Sequence, residues 1–469
     1  MPVRPWRLAV AILVLLSPLG AWAAPAPIPP TLATPSAGGT FVALSDLHFN
    51  PFYDPALMPR LMAAEAGGWR AIFESSTVTG VSGYGADTNY PLLRSALAAA
   101  QGSAPHPDFV LISGDFLGHD FHDLFAKSAP DAGDAAYLRF VVKTMEFVAG
   151  EIRAAFPAAP VLPALGNNDS DCGDYALRPG GRFLAAVEKV WKPLVGERAG
   201  SFAETFPAGG WYSVAHPTVP RLRLVVLNTV FFSPKFNLCG TPGNPADPRD
   251  PGRRQLAWLH RTLLAAARRG EKVWMLYHIP PGIDAYATLH AADGCASPPV
   301  PMWKEAYLSR FAGELARFPG RVEAAFAGHT HMDEIRLPAS GGFIHVTPAV
   351  SPLFGNNPGF QVFAYDRRSG ALGDLHTQFL DLTASGDGPP KWAEEYGFEA
   401  AYGLIGYNRC TLEQVELAVG KNSSPRDTYM KLYPVSSPAS AADTAQWKGY
   451  WCGIANFTAK DFAACYCGG

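Results

Sequence analysis

No stretch of this chain concentrates lysine or arginine, so the electrostatic footprint of a nucleic-acid binder is missing. Charged residues make up only 17% of the chain and the formal net charge is −3, which also excludes a polybasic or acidic interaction tail. No G-x-S-x-G nucleophile elbow occurs, so a serine hydrolase of that kind has no anchor. No C-x-x-C pair occurs, and Cys465-Tyr466-Cys467 is too tight for a thiolate zinc site. Beyond the N-terminus no apolar run is long enough to span a bilayer, and no internal repeat is visible.

What is present is an ordinary globular composition. Of 469 residues 48% are hydrophobic, enough for a sizeable core. The 43 prolines and 46 glycines imply a loop-rich chain. Arg4 and Arg7 precede a short apolar run at residues 8–16, and Ala21-Trp22-Ala23 is a small-x-small cleavage site. Residues 1–23 therefore read as a secretory signal peptide, and residues 24–40, rich in Pro and Ala, as a linker. The mature protein is expected to be secreted or periplasmic, with no transmembrane segment after signal cleavage. Seven cysteines suit an oxidising compartment; the odd number leaves one unpaired within the chain. Three of them lie in the last eighteen residues, which predicts a stapled C-terminal tail.

One pattern recurs along the chain. A short apolar, β-branched run ends abruptly in a polar cluster. Residues 41–44 end in Ser45-Asp46-Leu47-His48, and residues 109–112 in Ser113-Gly114-Asp115. Residues 161–165 end in Gly166-Asn167-Asn168-Asp169, residues 222–227 in Asn228, and residues 273–277 in His278. Residues 322–327 end in Gly328-His329-Thr330-His331. Such runs suit strands buried on both faces. Segments 92–100, 135–155, 182–191, 255–268 and 305–318 have apolar residues at helical spacing. Strands alternating with helices predict an α/β catalytic domain over residues 41–382, with ligand sites beyond the carboxyl ends of its strands. Runs 343–347 and 360–365 are expected to form a hairpin-like edge. After the linker-like Ala384 to Pro390 segment, residues 383–469 are expected to form a small, helical, cysteine-containing appendage, with a helix around residues 412–419.

Each polar cluster alone is weak evidence, because Asp and Asn often cap turns where a strand stops. Taken together they supply Asp46, His48, Asp115, Asn167, His278, His329 and His331. Imidazole and carboxylate donors without thiolate suit Zn²⁺ first, with Mn²⁺ or Fe²⁺ as alternatives. Seven donors exceed one tetrahedral ion and suit two that share a carboxylate. Paired ions would lower the pKa of a shared water and clamp the attacking and leaving oxygens of an in-line displacement.

The order D-x-H, G-D, G-N-x-D, H, G-H-x-H resembles the calcineurin-like metallophosphoesterases. Gly114-Asp115-Phe116-Leu117-Gly118-His119-Asp120 and the cysteine-containing tail are similar to the acid sphingomyelinase-like phosphodiesterase branch. The resemblance implies a four-layer αββα fold and a hydrolase of phosphate esters using a metal-bridging hydroxide. It implies that Asp46, His48 and His331 hold one ion, that Asn167, His278 and His329 hold the other, and that Asp115 bridges them. His119 would protonate the leaving oxygen. Asn168, Asp169 and Asp120 would touch substrate or orient the histidines.

The sequence departs from the branch in places. Asn168 and Asp169 stand where the common motif has His and Glu. Tyr84-Gly85-Ala86-Asp87 lacks the Cys usual before that Asp, and no saposin-like domain precedes residue 41. Gly118 occupies the position where purple acid phosphatases carry a tyrosinate ligand to iron. A lipid or nucleotide phosphodiester is the expected substrate. A phosphomonoesterase or polyphosphate hydrolase on the same site, and a non-catalytic metal-containing binding protein, are the alternatives.

Overall fold

The computed structural model describes residues 38–196, 200–239, 250–386, 388–442 and 444–468. The expected signal peptide and most of the expected linker lie outside the described residues. The strands are β1 (Gly38–Leu44), β2 (Phe109–Ile112), β3 (Val161–Pro163), β4 (Ala176–Leu177), β5 (Tyr212–Ala215), β6 (Leu222–Val226) and β7 (Asn237–Leu238). They continue as β8 (Lys272–Leu276), β9 (Val322–Ala327), β10 (Glu334–Arg336), β11 (Phe343–Val346), β12 (Gly359–Asp366), β13 (Leu372–Leu380) and β14 (Trp392–Gly397).

Twelve of them form two six-stranded sheets, in the orders β14-β13-β12-β1-β2-β3 and β10-β11-β9-β8-β6-β5. β1, β2 and β3 run parallel, as do β6, β8, β9 and β11. β4 and β7 pair separately.

The sheets pack face to face, and alternation along β1 shows why. Phe41 stacks between Phe109 and Phe363 of its own sheet, with centroids 4.7 and 4.8 Å away. Its edge meets Phe326 of the other sheet at 5.5 Å. Each such aromatic pair adds about 0.5–1.5 kcal/mol beyond area burial. The next residue, Val42, points to the opposite face and is also fully buried, so both faces are covered.

The expected helical segments fold as Tyr90–Ser103, Asp134–Ala155, Arg182–Val195, Pro251–Arg268 and Glu305–Ala316. Their ends follow capping chemistry. Asn89 accepts from Leu92 N–H ahead of Pro91, and Asp250 accepts from Gly252 and Arg253 N–H ahead of Pro251. With helices outside and two sheets within, the layers read αββα.

One strand expectation fails. The runs 343–347 and 360–365 do not form a hairpin. β11 lies parallel to β9 in the second sheet, whereas β12 is antiparallel to β1 in the first. Both are buried, so apolar content could not say which sheet each joins.

Beyond residue 382 the chain first adds β14 to the edge of the first sheet, through antiparallel pairing with β13. It then turns helical, including Arg409–Lys421, Ser423–Leu432, Trp447–Ala455 and Ala459–Cys467. Cys452–Cys465 closes the last helix pair and Cys295–Cys467 ties the tail back to the segment after β8. Cys172 pairs with Cys239, and Cys410 is free and exposed. Among the described residues no helix is long and apolar enough to cross a membrane.

Candidate metal centre

The parallel strands deliver the site. Asp46 and His48 follow β1, Asp115 follows β2, Asn167 follows β3, His278 follows β8, and His329 and His331 follow β9. The loops after β1 and β2 keep bonding past the strand ends. Asp46 N–H donates to Gly114 O at 3.0 Å and His48 N–H to Asp115 O at 2.9 Å.

Bending these loops inward requires unusual backbone. Asp46, His48, Asp115, His329 and His331 all have φ between 39° and 78°. Left-handed conformations in non-glycine residues cost on the order of 1–3 kcal/mol each and concentrate where side chains must be aimed. Glycine clears the space: a Cβ on Gly328 would lie 2.0 Å from Ser45 Oγ, and one on Gly166 2.0 Å from Asp115 Oδ1.

All seven side chains converge. His48 Nε2 lies 3.5 Å from Asp46 Oδ1, 3.5 Å from Asp115 Oδ2 and 3.1 Å from His331 Nε2. His331 Nε2 is 3.5 Å from Asp46 Oδ1. On the other side, His278 Nε2 lies 3.1 Å from Asp115 Oδ2, 3.1 Å from Asn167 Oδ1 and 3.3 Å from His329 Nδ1. The contacts thus form two groups; Asp115 Oδ2 reaches both, at 3.5 and 3.1 Å, and Asp46 Oδ1 lies farther from the second, 3.9 Å from His278 Nε2.

The tautomers test whether a cation fits. His48 Nδ1–H donates to Leu117 O at 3.0 Å, and His278 Nδ1–H donates to Ser113 O at 2.9 Å. In the neutral ring each therefore turns a lone pair at Nε2 toward carboxylates, a carbonyl oxygen or another imidazole. Acceptors facing acceptors at 3.1–3.5 Å repel unless positive charge sits among them. The donor set fits divalent cations, and Asp115 is placed to serve two.

The same carboxylates also draw protons onto these rings. Burial opposes charge on His48, but Asp115 and Asp46 outweigh it and push its pKa up to about 10. The same balance brings His278 to about 9. The carboxyl of Asp115 is held well below its usual range, since His278 and His48 overcome its burial. His329 and His331 fall to about 3, chiefly because leaving water disfavours their charge. A metal competes with protons for these nitrogens, so low pH opposes metal binding.

His119 stacks on His48, with ring centroids 4.0 Å apart. Its Nδ1–H donates to Asp87 Oδ1 at 3.0 Å and its backbone N–H to Asp87 Oδ2 at 2.6 Å. Ser351 Oγ donates to the same carboxylate at 3.1 Å. His119 lines a cavity of about 680 Å³ that also receives Asp115, Asn167, His329 and His331. Phe354, half exposed, edges against both His331 and His119 there.

Asn168 clasps Asp115, its side-chain amide donating to Oδ2 and its backbone N–H to Oδ1. Asp169 is buried and accepts from Phe116, Leu117 and Gly166 N–H, so it ties the loop after β2 to the loop after β3 rather than orienting a histidine. Asp120 is exposed and outside the group; its carbonyl begins the helix Phe121–Ser128. The carboxylate that holds His119 is Asp87, 32 residues earlier, a contact no local spacing announces. Asn228 bonds Gln255 and Gly209, away from the cluster. Asp171 lies beside Cys172 and Cys239, but both sulfurs are committed to the disulfide.

Residues 39–333 match the family model described as calcineurin-like phosphoesterase. The chain belongs to that family. The chain is 27% identical over 450 residues to acid sphingomyelinase-like phosphodiesterase 3b of Homo sapiens, covering 91% of this chain and 90% of that one. It is 30% identical over 384 residues to the Mus musculus protein of the same name, covering 78% and 76%. It is 28% identical over 395 residues to a cyclic GMP-AMP phosphodiesterase of Rattus norvegicus, covering 81% and 80%. The family resemblance read from the motifs therefore holds, and this member of the calcineurin-like phosphoesterases falls in the acid sphingomyelinase-like branch.

Proposed function

We propose that this calcineurin-like phosphoesterase is an exported dinuclear-metal phosphodiesterase. The observation that carries the reading is the sharing of Asp115 Oδ2 between two groups of imidazole, amide and carboxylate side chains. Asp46, His48 and His331 would hold one ion and Asn167, His278 and His329 the other, with Asp115 bridging. Zn²⁺ suits this donor set best. Two bound divalent ions supply an activated water and neutralise the phosphoryl oxygens.

The chain's own residues do the rest. Asp87 holds the Nδ1–H of His119, so the ring is oriented with Nε2 free to carry the proton for the leaving oxygen. Asp87 is the anion of the pair: its carboxyl, although buried, is held below the usual range by the His119 hydrogen bond. Such an acid contributes about 10²–10⁴ in rate when the leaving group is poor. Phe354 forms the cavity wall beside His119. Diester preference is supported by the names of the relatives, and export by three disulfides.

The test is hydrolysis of bis(4-nitrophenyl) phosphate against 4-nitrophenyl phosphate, after chelation and again after adding metal back. Diester hydrolysis restored by metal is expected. Turnover of the monoester alone would make the protein a phosphatase. Two tightly held ions with neither ester cleaved would make it a metal-containing binding protein.

A further inference from the structure

The segment between β3 and the helix Arg182–Val195 carries no proposed metal ligand after Asn167, yet it reaches the centre twice. Asp174 Oδ1 accepts from the Asn167 side-chain amide at 2.7 Å. That bond fixes which end of the amide faces inward, so Asn167 Oδ1 points to His278. The next residue, Tyr175, places its hydroxyl 3.3 Å from His329 Nε2. With Nε2–H donating to the phenol, His329 keeps Nδ1 as a lone pair for the centre. Both contacted side chains belong to the same one of the two donor groups.

The loop is built to hold that position. Tyr175 is buried and has φ +53°, an uncommon conformation for a bulky residue. Its N–H donates to Asn167 O at 3.0 Å, and its carbonyl accepts from Asn237 N–H at 2.9 Å. β4 pairs in parallel with β7, and Cys172–Cys239 closes the two segments 67 residues apart in sequence. Lys235 lies over the Tyr175 ring, 5.1 Å from its centroid. The other donor group is held differently: His48 leans on Leu117 O, and Asp46 on Ser45 and His329 N–H.

We infer that the Cys172–Cys239 loop is the positioning element for one half of the centre, with Asp174 and Tyr175 setting the affinity of the ion held by Asn167, His278 and His329. The inference rests on the dinuclear reading above. Partners that orient a ligand typically govern 10- to 100-fold in metal affinity. Loss of the clasp should therefore empty one site and spare the other.

The experiment loads the full-length protein with Co²⁺ and follows stoichiometry by elemental analysis, and site occupancy by visible spectroscopy, during titration with a chelator. Wild type should release two ions. Tyr175→Phe and Asp174→Ala should each release one ion at about 10- to 100-fold lower chelator concentration, with half of the cobalt bands lost and the other half unchanged. The paired Cys172→Ser, Cys239→Ser variant, which leaves the other disulfides intact, should do the same. A purely structural loop would weaken both ions together or neither, and either result overturns the inference while leaving the dinuclear reading intact. A wild-type protein that binds a single ion would overturn both.

Discussion

The side-chain amide of Asn168 donates to Asp115 Oδ2 at 2.9 Å while its own backbone N–H donates to Asp115 Oδ1 at 2.8 Å. Both oxygens of the carboxylate common to the two donor groups are thus aimed by a single neighbour from another strand. At this position the common motif of the branch carries histidine, so the residue here has a different task. It holds both oxygens of Asp115, and under the proposed function the proton chemistry falls to His119.

Asn168→Ala should consequently weaken metal binding before it alters anything else. The backbone donor survives, so the loss is partial, on the order of 10-fold to 100-fold in affinity. Metal retained during dialysis against graded chelator measures it. Unchanged retention would show that Asp115 is held by the strand end alone.

Asp87→Asn preserves the shape beside His119 but removes the anion that holds its ring. The expected result is a loss on the order of 10² in kcat for diesters with alkyl leaving groups. Nitrophenyl esters, whose leaving oxygen needs little help, should slow far less. A leaving-group series on wild type and variant checks this, and parallel losses across the series would remove His119 from the role of acid.

His216 offers a pH test away from the metals. It is buried between the sheets against Phe109 and Trp274, and its Nδ1 accepts from Thr218 and Val219 N–H. Burial pulls its pKa down to about 3, from the 6.5 of an unperturbed side chain. The unfolded chain therefore takes up the proton first. The contribution of neutral His216 is fully present above about pH 6.5 and shrinks by about 1.4 kcal/mol per unit as pH falls toward 3. His216→Asn, which keeps an acceptor but cannot titrate, should flatten the fall in Tm between pH 6.5 and 4. Equal slopes for wild type and variant would show that another group carries the acid sensitivity.

Much of the site was visible before any fold. Asp46, His48, Asp115, Asn167, His278, His329 and His331 each follow an apolar run, and strand ends are local features that composition reveals. The partition of strands was not visible. The runs 343–347 and 360–365 are equally apolar and close in sequence, yet β11 and β12 lie in different sheets. Nor could spacing connect Tyr175 with His329, which are 154 residues apart.

Side-chain chemistry is a property of each residue, so the sequence by itself determined the donor types, the lack of a C-x-x-C pair and of a G-x-S-x-G elbow, and the family. Only the tertiary structure decided which donors meet. Left-handed turns after β1, β2 and β9 swing the side chains across the seam between the sheets. Packing of those sheets then sets Asp115 between His48 and His278, and Asp87, rather than the adjacent Asp120, against His119. Contacts of this kind depend on how distant elements are stacked, and neighbours in the chain carry no record of it.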